Sequence, residues 1–180
     1  MNIKPLRSVN NYDIIPYFSY SGATANKGTF VTALGSGLTL GDEMTLGNLS
    51  SVGGTLSATF NVPWLVTAAP SGTATASVLG MLMKDIRTVD ENGYPLIFDP
   101  RKAAEMDVIV SGQACPVATH GFVLYSGIVG TPAFGSGAAV SDAGDGSLKV
   151  VPATGVNSIG RFLGPVNSQG YAPLEFNVKN

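Results

Sequence analysis

Charged residues are scarce in this chain of 180 residues, and they are unevenly spread. Only 12% of the residues are Asp, Glu, Lys or Arg, whereas about a quarter is usual for soluble domains. Two long runs carry no charge at all, 40 residues from Met44 to Met83 and 34 residues from Val108 to Ser141. Charge is depleted where protein covers protein. The pattern therefore favours a role in assembly over a role in catalysis.

The uncharged runs do not predict a membrane span, because Gly, Ser, Thr, Pro and Asn interrupt both of them every few residues. A spanning helix needs about 20 predominantly apolar residues in succession. The ten Lys and Arg residues are scattered and the net charge is −2, so the basic field that binds nucleic acid is missing. We expect neither a membrane nor a nucleic acid as partner. The first residues lack the apolar stretch of a signal peptide, which predicts synthesis in a cytoplasm.

The chain has one cysteine and one histidine. Cys115 cannot form an internal disulfide, and its apolar neighbours predict a small buried side chain. His120 is the only base of the kind that usually activates a nucleophile, and no carboxylate is near it in the sequence. Two candidate ligands are too few for a closed zinc site. We therefore expect no enzymatic activity, no catalytic residue, no metal and no cofactor.

Other candidate chemistry has simpler interpretations. The Gly-rich run from Gly127 to Gly137 lacks the Gly-Lys-Ser/Thr ending of a phosphate-binding loop, which indicates a loop between strands. Asp142 and Asp145 are interpreted as part of a β-turn, with a bound calcium ion as the alternative. Carboxylates cluster between residues 85 and 107, where ion pairs with nearby cations are the simpler explanation. A sugar-binding or enzymatic β-domain remains a less favoured alternative, in which Trp64 would stack on a sugar.

Glycine (23 residues) and proline (11 residues) divide the chain into short runs rich in Val, Thr, Leu, Phe and Ile. This spacing predicts an all-β fold, a compact small β-barrel or sandwich. In several runs apolar residues dominate without strict alternation, as in strands covered on both faces. The predicted strands are Thr29–Leu34, Thr55–Val62, Thr73–Met83, Leu96–Phe98, Met106–Ser111, Gly121–Ile128, Leu148–Val151, Ser158–Leu163 and Leu174–Val178.

Turn and cap signals separate these runs. Hairpin turns are predicted at residues 90–93, 142–146 and 167–170, where Asn, Asp and Gly accept the required backbone angles. One short helix is predicted at about residues 99–106. Asp99 would cap it, Pro100 fits the first helical position, and Arg-Lys-Ala-Ala-Glu follows with good propensity.

The first 25 residues differ from the rest, so we divide the chain into residues 1–25, an N-terminal arm or first strand, and residues 26–180, a β-barrel or sandwich domain. Prolines at positions 5 and 16 prevent a long helix. The segment is dense in aromatic residues, which suits an extended arm on a neighbouring subunit as well as it suits a first strand. The arm hypothesis predicts that deletion up to residue 20 leaves the domain folded. The predicted interface residues are Tyr12, Ile14, Ile15, Tyr17, Phe18, Tyr20 and Trp64.

The middle of the chain contains five segments with a recognisable pattern: Val78–Arg87, Asp90–Gly93, Leu96–Met106, Val110–Val117 and His120–Leu124. A Lys-Gly-x-x-Val strand opening precedes them at residues 27–31, and a Gly-led strand with a closing hairpin follows them at residues 155–178. In this pattern the chain resembles the head decoration, or cement, proteins of tailed bacteriophages.

This resemblance implies a small β-fold that binds as a trimer to the major capsid protein on the outer capsid surface of the virion. The protein would stabilise the lattice without doing chemistry. Another virion structural subunit, such as a tail-tube or neck protein, is the alternative and would form rings or stacked tubes.

We predict that the purified protein is a homotrimer, because the uncharged runs leave more neutral surface than a monomer of this size exposes. Light scattering at micromolar concentration measures the mass directly. A monomer mass would contradict the prediction.

Overall fold

The computed structural model describes residues 3–5, 14–33, 64–68, 78–152 and 158–178, and all structural statements below concern these residues. They are mainly β-strands, with one short α-helix, α1 (Pro100–Glu105), and one 3-10 helix (Leu96–Phe98). This confirms the predicted all-β fold with one short helix. No helix in these ranges is long and apolar enough to cross a membrane. The strands are β1 (Ile3–Pro5), β2 (Ile14–Tyr20), β3 (Phe30–Ala33), β4 (Trp64–Ala68), β5 (Val78–Leu82), β6 (Asp85–Arg87), β7 (Val108–Val110), β8 (Ala114–Ala118), β9 (His120–Tyr125), β10 (Ile128–Val129), β11 (Gly137–Val140), β12 (Leu148–Val151), β13 (Gly160–Phe162) and β14 (Ala172–Asn177).

The strands form a barrel and an open sheet. The barrel closes in the order β2–β4–β3–β5–β8, and the seven-stranded sheet has the order β1–β9–β14–β13–β11–β12–β10. Only Thr119 separates β8 from β9, so the chain passes directly from the barrel into the sheet. A short parallel pair, β6 and β7, supports α1 through a small core of Leu96, Ala103 and Val110.

Strands β3 and β5 form the wall between two hydrophobic cores. Phe30 and Met81 belong to the core of the sheet, whereas the adjacent Val31 and Leu82 belong to the core of the barrel. All four side chains are fully buried. Successive side chains of a strand point to opposite faces, so consecutive apolar residues are what a strand between two cores needs.

The local turn and cap predictions are confirmed. The turn at residues 142–146 joins the antiparallel strands β11 and β12, and the turn at residues 167–170 joins β13 and β14. In the second turn the side chain of Asn167 accepts hydrogen bonds from the backbone N–H groups of Gln169 and Tyr171, both at 3.0 Å. Asp99 caps α1 by accepting from the N–H of Lys102 at 3.0 Å.

One predicted strand is wrong, since Leu96–Phe98 is a 3-10 helix. The turn at residues 90–93 forms, but the antiparallel pairing after it is limited to one bridge between Val89 and Pro95. Proline has no N–H to continue a ladder, and the capping residue Asp99 begins a helix directly afterwards. The predicted strand Thr55–Val62 and residues 73–77 lie outside the described residues.

The N-terminal segment is tied into its own chain. β1 pairs with β9, and β2 closes the barrel by pairing in parallel with β4 and antiparallel with β8. The arm hypothesis is therefore wrong for Ile14–Tyr20, and the first-strand alternative is correct there. Because removal of β2 would take a closing strand out of the barrel, we now expect deletion up to residue 20 to destabilise the domain. Residues 6–13 lie outside the described ranges.

We predict that Gly80→Ala destabilises the barrel by about 1–3 kcal/mol, the usual cost of overpacking a core. A Cβ atom on Gly80 would collide with the carbonyl oxygen of Ala118 and would lie 2.6 Å from a methyl group of Val117. Both contacts are with β8, whose backbone is held on both sides. Denaturant unfolding measures the change.

Gly164→Ala is the matched control, because its new Cβ atom would lie 3.4 Å from Pro173, an ordinary van der Waals contact. Equal stability of the two variants would show that β5 and β8 are not packed as described.

Candidate functional site

Three large apolar side chains project from one short segment of the surface. Tyr94 is 71% exposed, Ile97 is 68% exposed and Phe98 is 84% exposed. We call these three side chains the ridge. Scattered exposed apolar residues are normal, but a group of them marks a site of protein contact.

An Asx turn orders the backbone at the N-terminal end of the ridge. A side-chain oxygen of Asp90 accepts hydrogen bonds from the backbone N–H groups of Asn92 and Tyr94, both at 2.8 Å. Gly93 has φ of +85° and supplies the left-handed conformation that this turn needs. The hydrogen bond to Tyr94 is the main cause that lowers the pKa of the Asp90 carboxyl. The turn is therefore ordered, and its carboxylate is ionised at neutral pH.

The buried side chain of Leu96 anchors the segment that carries the ridge to the core beneath it. Its side chain is 1% exposed and packs with Ala103 of α1 and Val110 of β7. The backbone N–H of Leu96 also donates to the carbonyl of Thr88 at 3.0 Å. The 3-10 helix thus buries one apolar residue and presents the next two to solvent.

An ion pair links the turn that precedes the ridge to the helix α1 that follows it. The Lys102 ammonium on α1 lies 2.6 Å from the Glu91 carboxylate in the turn. Hydrogen bonding within this pair lowers the pKa of Glu91 and raises the pKa of Lys102. Both groups are at the surface, so the pair fixes geometry more than it adds stability.

The charges that flank the ridge are unbalanced. Residues 90–105 contain four carboxylates and two cations, an excess of two negative charges. Arg101 pairs with Glu105 at 3.2 Å and Lys102 pairs with Glu91, so both cations are already neutralised within the chain. The ridge therefore lies in a segment, residues 90–105, whose net charge is −2.

A second exposed aromatic side chain lies at the tip of another turn. Phe134 is 82% exposed, and the N–H of Ser136 donates to the carbonyl of Ala133 at 3.1 Å. Gly135, at φ of +82°, occupies the position of a type II turn that needs a left-handed residue. Its N–H donates to the carbonyl of Phe162 at 2.9 Å, which fixes the turn to the sheet.

The candidate polar sites have partners within the chain. Asp145 accepts from the backbone N–H of Ser147 at 2.9 Å, and Asp142 pairs with Lys149 at 2.7 Å. The pKa of Asp145 is lowered chiefly by the side chain of Ser147. In the described ranges no three metal-ligating side chains come together. An open cleft of about 650 Å³ is lined by Tyr20, Thr24, Ala25, Asn26, Thr29, Gly127, Ile128, Val129, Gly144, Asp145 and Ser147.

Cys115 and His120 differ in their surroundings, since Cys115 is buried and His120 is half-buried and lines a cleft beside Arg161 and Glu175. Cys115 is buried in the barrel core, and burial raises the pKa of its thiol to about 11. This agrees with the predicted small buried side chain. His120 begins β9, and its ring meets the ring of Phe122 edge-on with 6.3 Å between centroids.

Six of the seven residues predicted for an interface lie on the neighbouring strands β2 and β4, where Phe18 is the register partner of Trp64. Phe18 is 3% exposed and packs in the barrel core, which corrects its assignment as an interface anchor. Ile14 and Tyr20 are half-buried on β2. The backbones of Ile15 and Tyr17 belong to β2 and that of Trp64 to β4, but their side chains and the whole of Tyr12 lie outside the described structure. For these residues the interface remains a prediction.

Sequence reasoning missed the ridge because the apolar tripeptide Leu96–Phe98 was interpreted as a strand. The signal that would have identified it is the position of this tripeptide between Pro95 and the helix cap Asp99. So short an interval favours a single tight turn.

Comparison of the chain with models of known protein families gives no match, and comparison with curated proteins gives none either.

We predict very different losses of stability for alanine substitutions at two neighbouring residues of this segment. Leu96→Ala should lower the free energy of unfolding by about 2–5 kcal/mol, because it leaves a cavity beneath the ridge. Ile97→Ala should change it by less than about 0.5 kcal/mol, because its side chain already faces solvent. Equal effects in denaturant unfolding would show that the 3-10 helix does not separate a buried from an exposed side.

Proposed function

We propose that this protein is a structural component of a tailed-bacteriophage virion, which binds the outer surface of the capsid lattice as a homotrimer and stabilises it. The observation that carries the proposal is the ridge, an ordered apolar surface on a small all-β protein of low charge. The resemblance of Val78–Arg87, Leu96–Met106 and the neighbouring segments to head decoration proteins supports the same function.

The physical basis is mass action. A protein that binds the assembled lattice but not its separate subunits shifts the equilibrium toward the lattice. A trimer multiplies weak individual contacts into high avidity. Such a protein needs an ordered contact surface and a stable fold, and it needs no reactive group. The major capsid protein and other copies of this chain are the proposed partners.

A ring or tube subunit of the tail or neck is the second candidate, because such a subunit would share the low charge and the all-β fold. The sugar-binding alternative requires a polar cleft at Trp64 and the central carboxylates. The side chain of Trp64 lies outside the described structure, so this alternative stays a prediction.

The test uses virions of the virus whose genome encodes the chain. We expect electron microscopy to place the protein at the threefold and quasi-threefold positions of the capsid. Particles made without it should disassemble at lower temperature and should recover when the purified protein is added. Density in the tail or neck would favour the second candidate, and absence from the particle would contradict both.

A further inference from the structure

We propose that the ridge formed by Tyr94, Ile97 and Phe98 docks into an apolar pocket of a different protein, and that Lys and Arg side chains border this pocket. The inference rests on the proposed function, which makes the major capsid protein this partner. It adds which surface makes the contact and what chemistry the partner must supply.

The shape of the ridge suits insertion into a pocket. The Asx turn of Asp90 holds one end, Leu96 anchors the middle, and α1 follows directly after the capped residue Asp99. A side chain presented on an ordered segment loses less conformational freedom on binding than one on a flexible loop. Large, ordered apolar side chains of this kind dominate many protein interfaces.

The charges beside the ridge argue against a second copy of the chain as the occupant. In a twofold contact the same surface of both copies meets itself. Such a contact would bring together residues 90–105 of both copies, and this segment has a net charge of −2 in each copy. In a trimer the ridge would instead meet a different surface of the next copy, where four of the described cations, Lys84, Arg87, Lys149 and Arg161, are already paired with carboxylates of their own chain. Like charges facing each other disfavour a contact, whereas complementary charges guide partners together. A different protein with a basic border satisfies this requirement.

The negative excess resides on two identifiable carboxylates. Since Lys102 and Arg101 are paired with Glu91 and Glu105, the remaining acidic groups are Asp90 and Asp99. Each accepts backbone N–H groups in its own turn or cap. An ionised carboxylate has about four lone-pair positions, so Asp90 and Asp99 retain capacity to accept from Lys or Arg of a partner.

The first experiment compares two Phe→Ser variants of the full-length protein. Phe98→Ser alters the ridge, and Phe134→Ser makes the same change at an equally exposed aromatic residue on a different turn. The probe is the capsid of the encoding virus assembled without this protein, and binding is measured by co-sedimentation. We expect Phe98→Ser to weaken binding by about tenfold or more, as for a central anchor, and Phe134→Ser to have a much smaller effect.

The second experiment tests the charge on the partner. Glu105→Lys removes the negative excess beside the ridge, and Asp142→Lys is the control at the exposed β11–β12 turn, where Asp142 also has a cation partner. We expect Glu105→Lys to slow association with the capsids and to reduce its dependence on salt, as is typical of charges at the edge of an interface. Asp142→Lys should leave both properties close to wild type.

The outcomes separate this inference from the proposed function. If the wild-type protein does not bind the capsids, the proposed function fails, and this inference fails with it. If the wild type and Phe98→Ser bind equally, the ridge inference alone is overturned. A smaller oligomer for Phe98→Ser in light scattering would identify the ridge as a contact between copies. A marked fall in its melting temperature would show that the chain itself covers the ridge, and either result overturns the inference.

Discussion

The packing of Phe30 is the interaction on which the rest of the fold depends. Its ring is fully buried, meets Phe176 edge-on with 5.6 Å between centroids, and contacts Tyr125 at 5.9 Å. The backbone N–H of Phe30 donates to the carbonyl of Gly146 at 2.9 Å, which binds the barrel to the β11–β12 turn. Gly146 has φ of +72°, and a Cβ atom there would collide with the carbonyl oxygen of Phe30. Barrel and sheet are therefore joined where no larger residue fits.

Burial in the two cores on either side of this junction explains much of the scarcity of charged residues. The uncharged run from Val108 to Ser141 forms strands β7 to β11, and these supply residues to both main cores. Buried examples include Val117 in the barrel and Val123 in the sheet. Burial within the chain therefore accounts for much of this run without a partner, although its neutral composition first suggested a covered surface. A lack of charged residues in the sequence indicates that a segment is covered. It does not show whether the same chain or another chain covers it.

Local chemistry was predictable from the sequence, and long-range pairing was not. The turns at residues 142–146 and 167–170 and the cap at Asp99 depend on neighbouring residues, so their sequence signals were sufficient. β2 pairs with β4 and β8, which lie far along the chain, and its register shifts between Ile15 and Phe18, around Pro16. Proline cannot donate to a strand ladder and is uncommon inside strands, so the sequence alone favoured an arm as much as a strand.

The ridge was missed because the hydrophobicity of a residue does not show whether its side chain points into the core or toward solvent. Leu96 and Phe98 are both large and apolar, yet one is buried and the other is exposed, because a single 3-10 turn rotates them to different sides. Two ion pairs at the surface, Arg101–Glu105 and Lys102–Glu91, lie beside this exposed apolar segment. Among the described residues the charged segment, and not the uncharged runs, therefore contains the best-defined candidate for binding another protein.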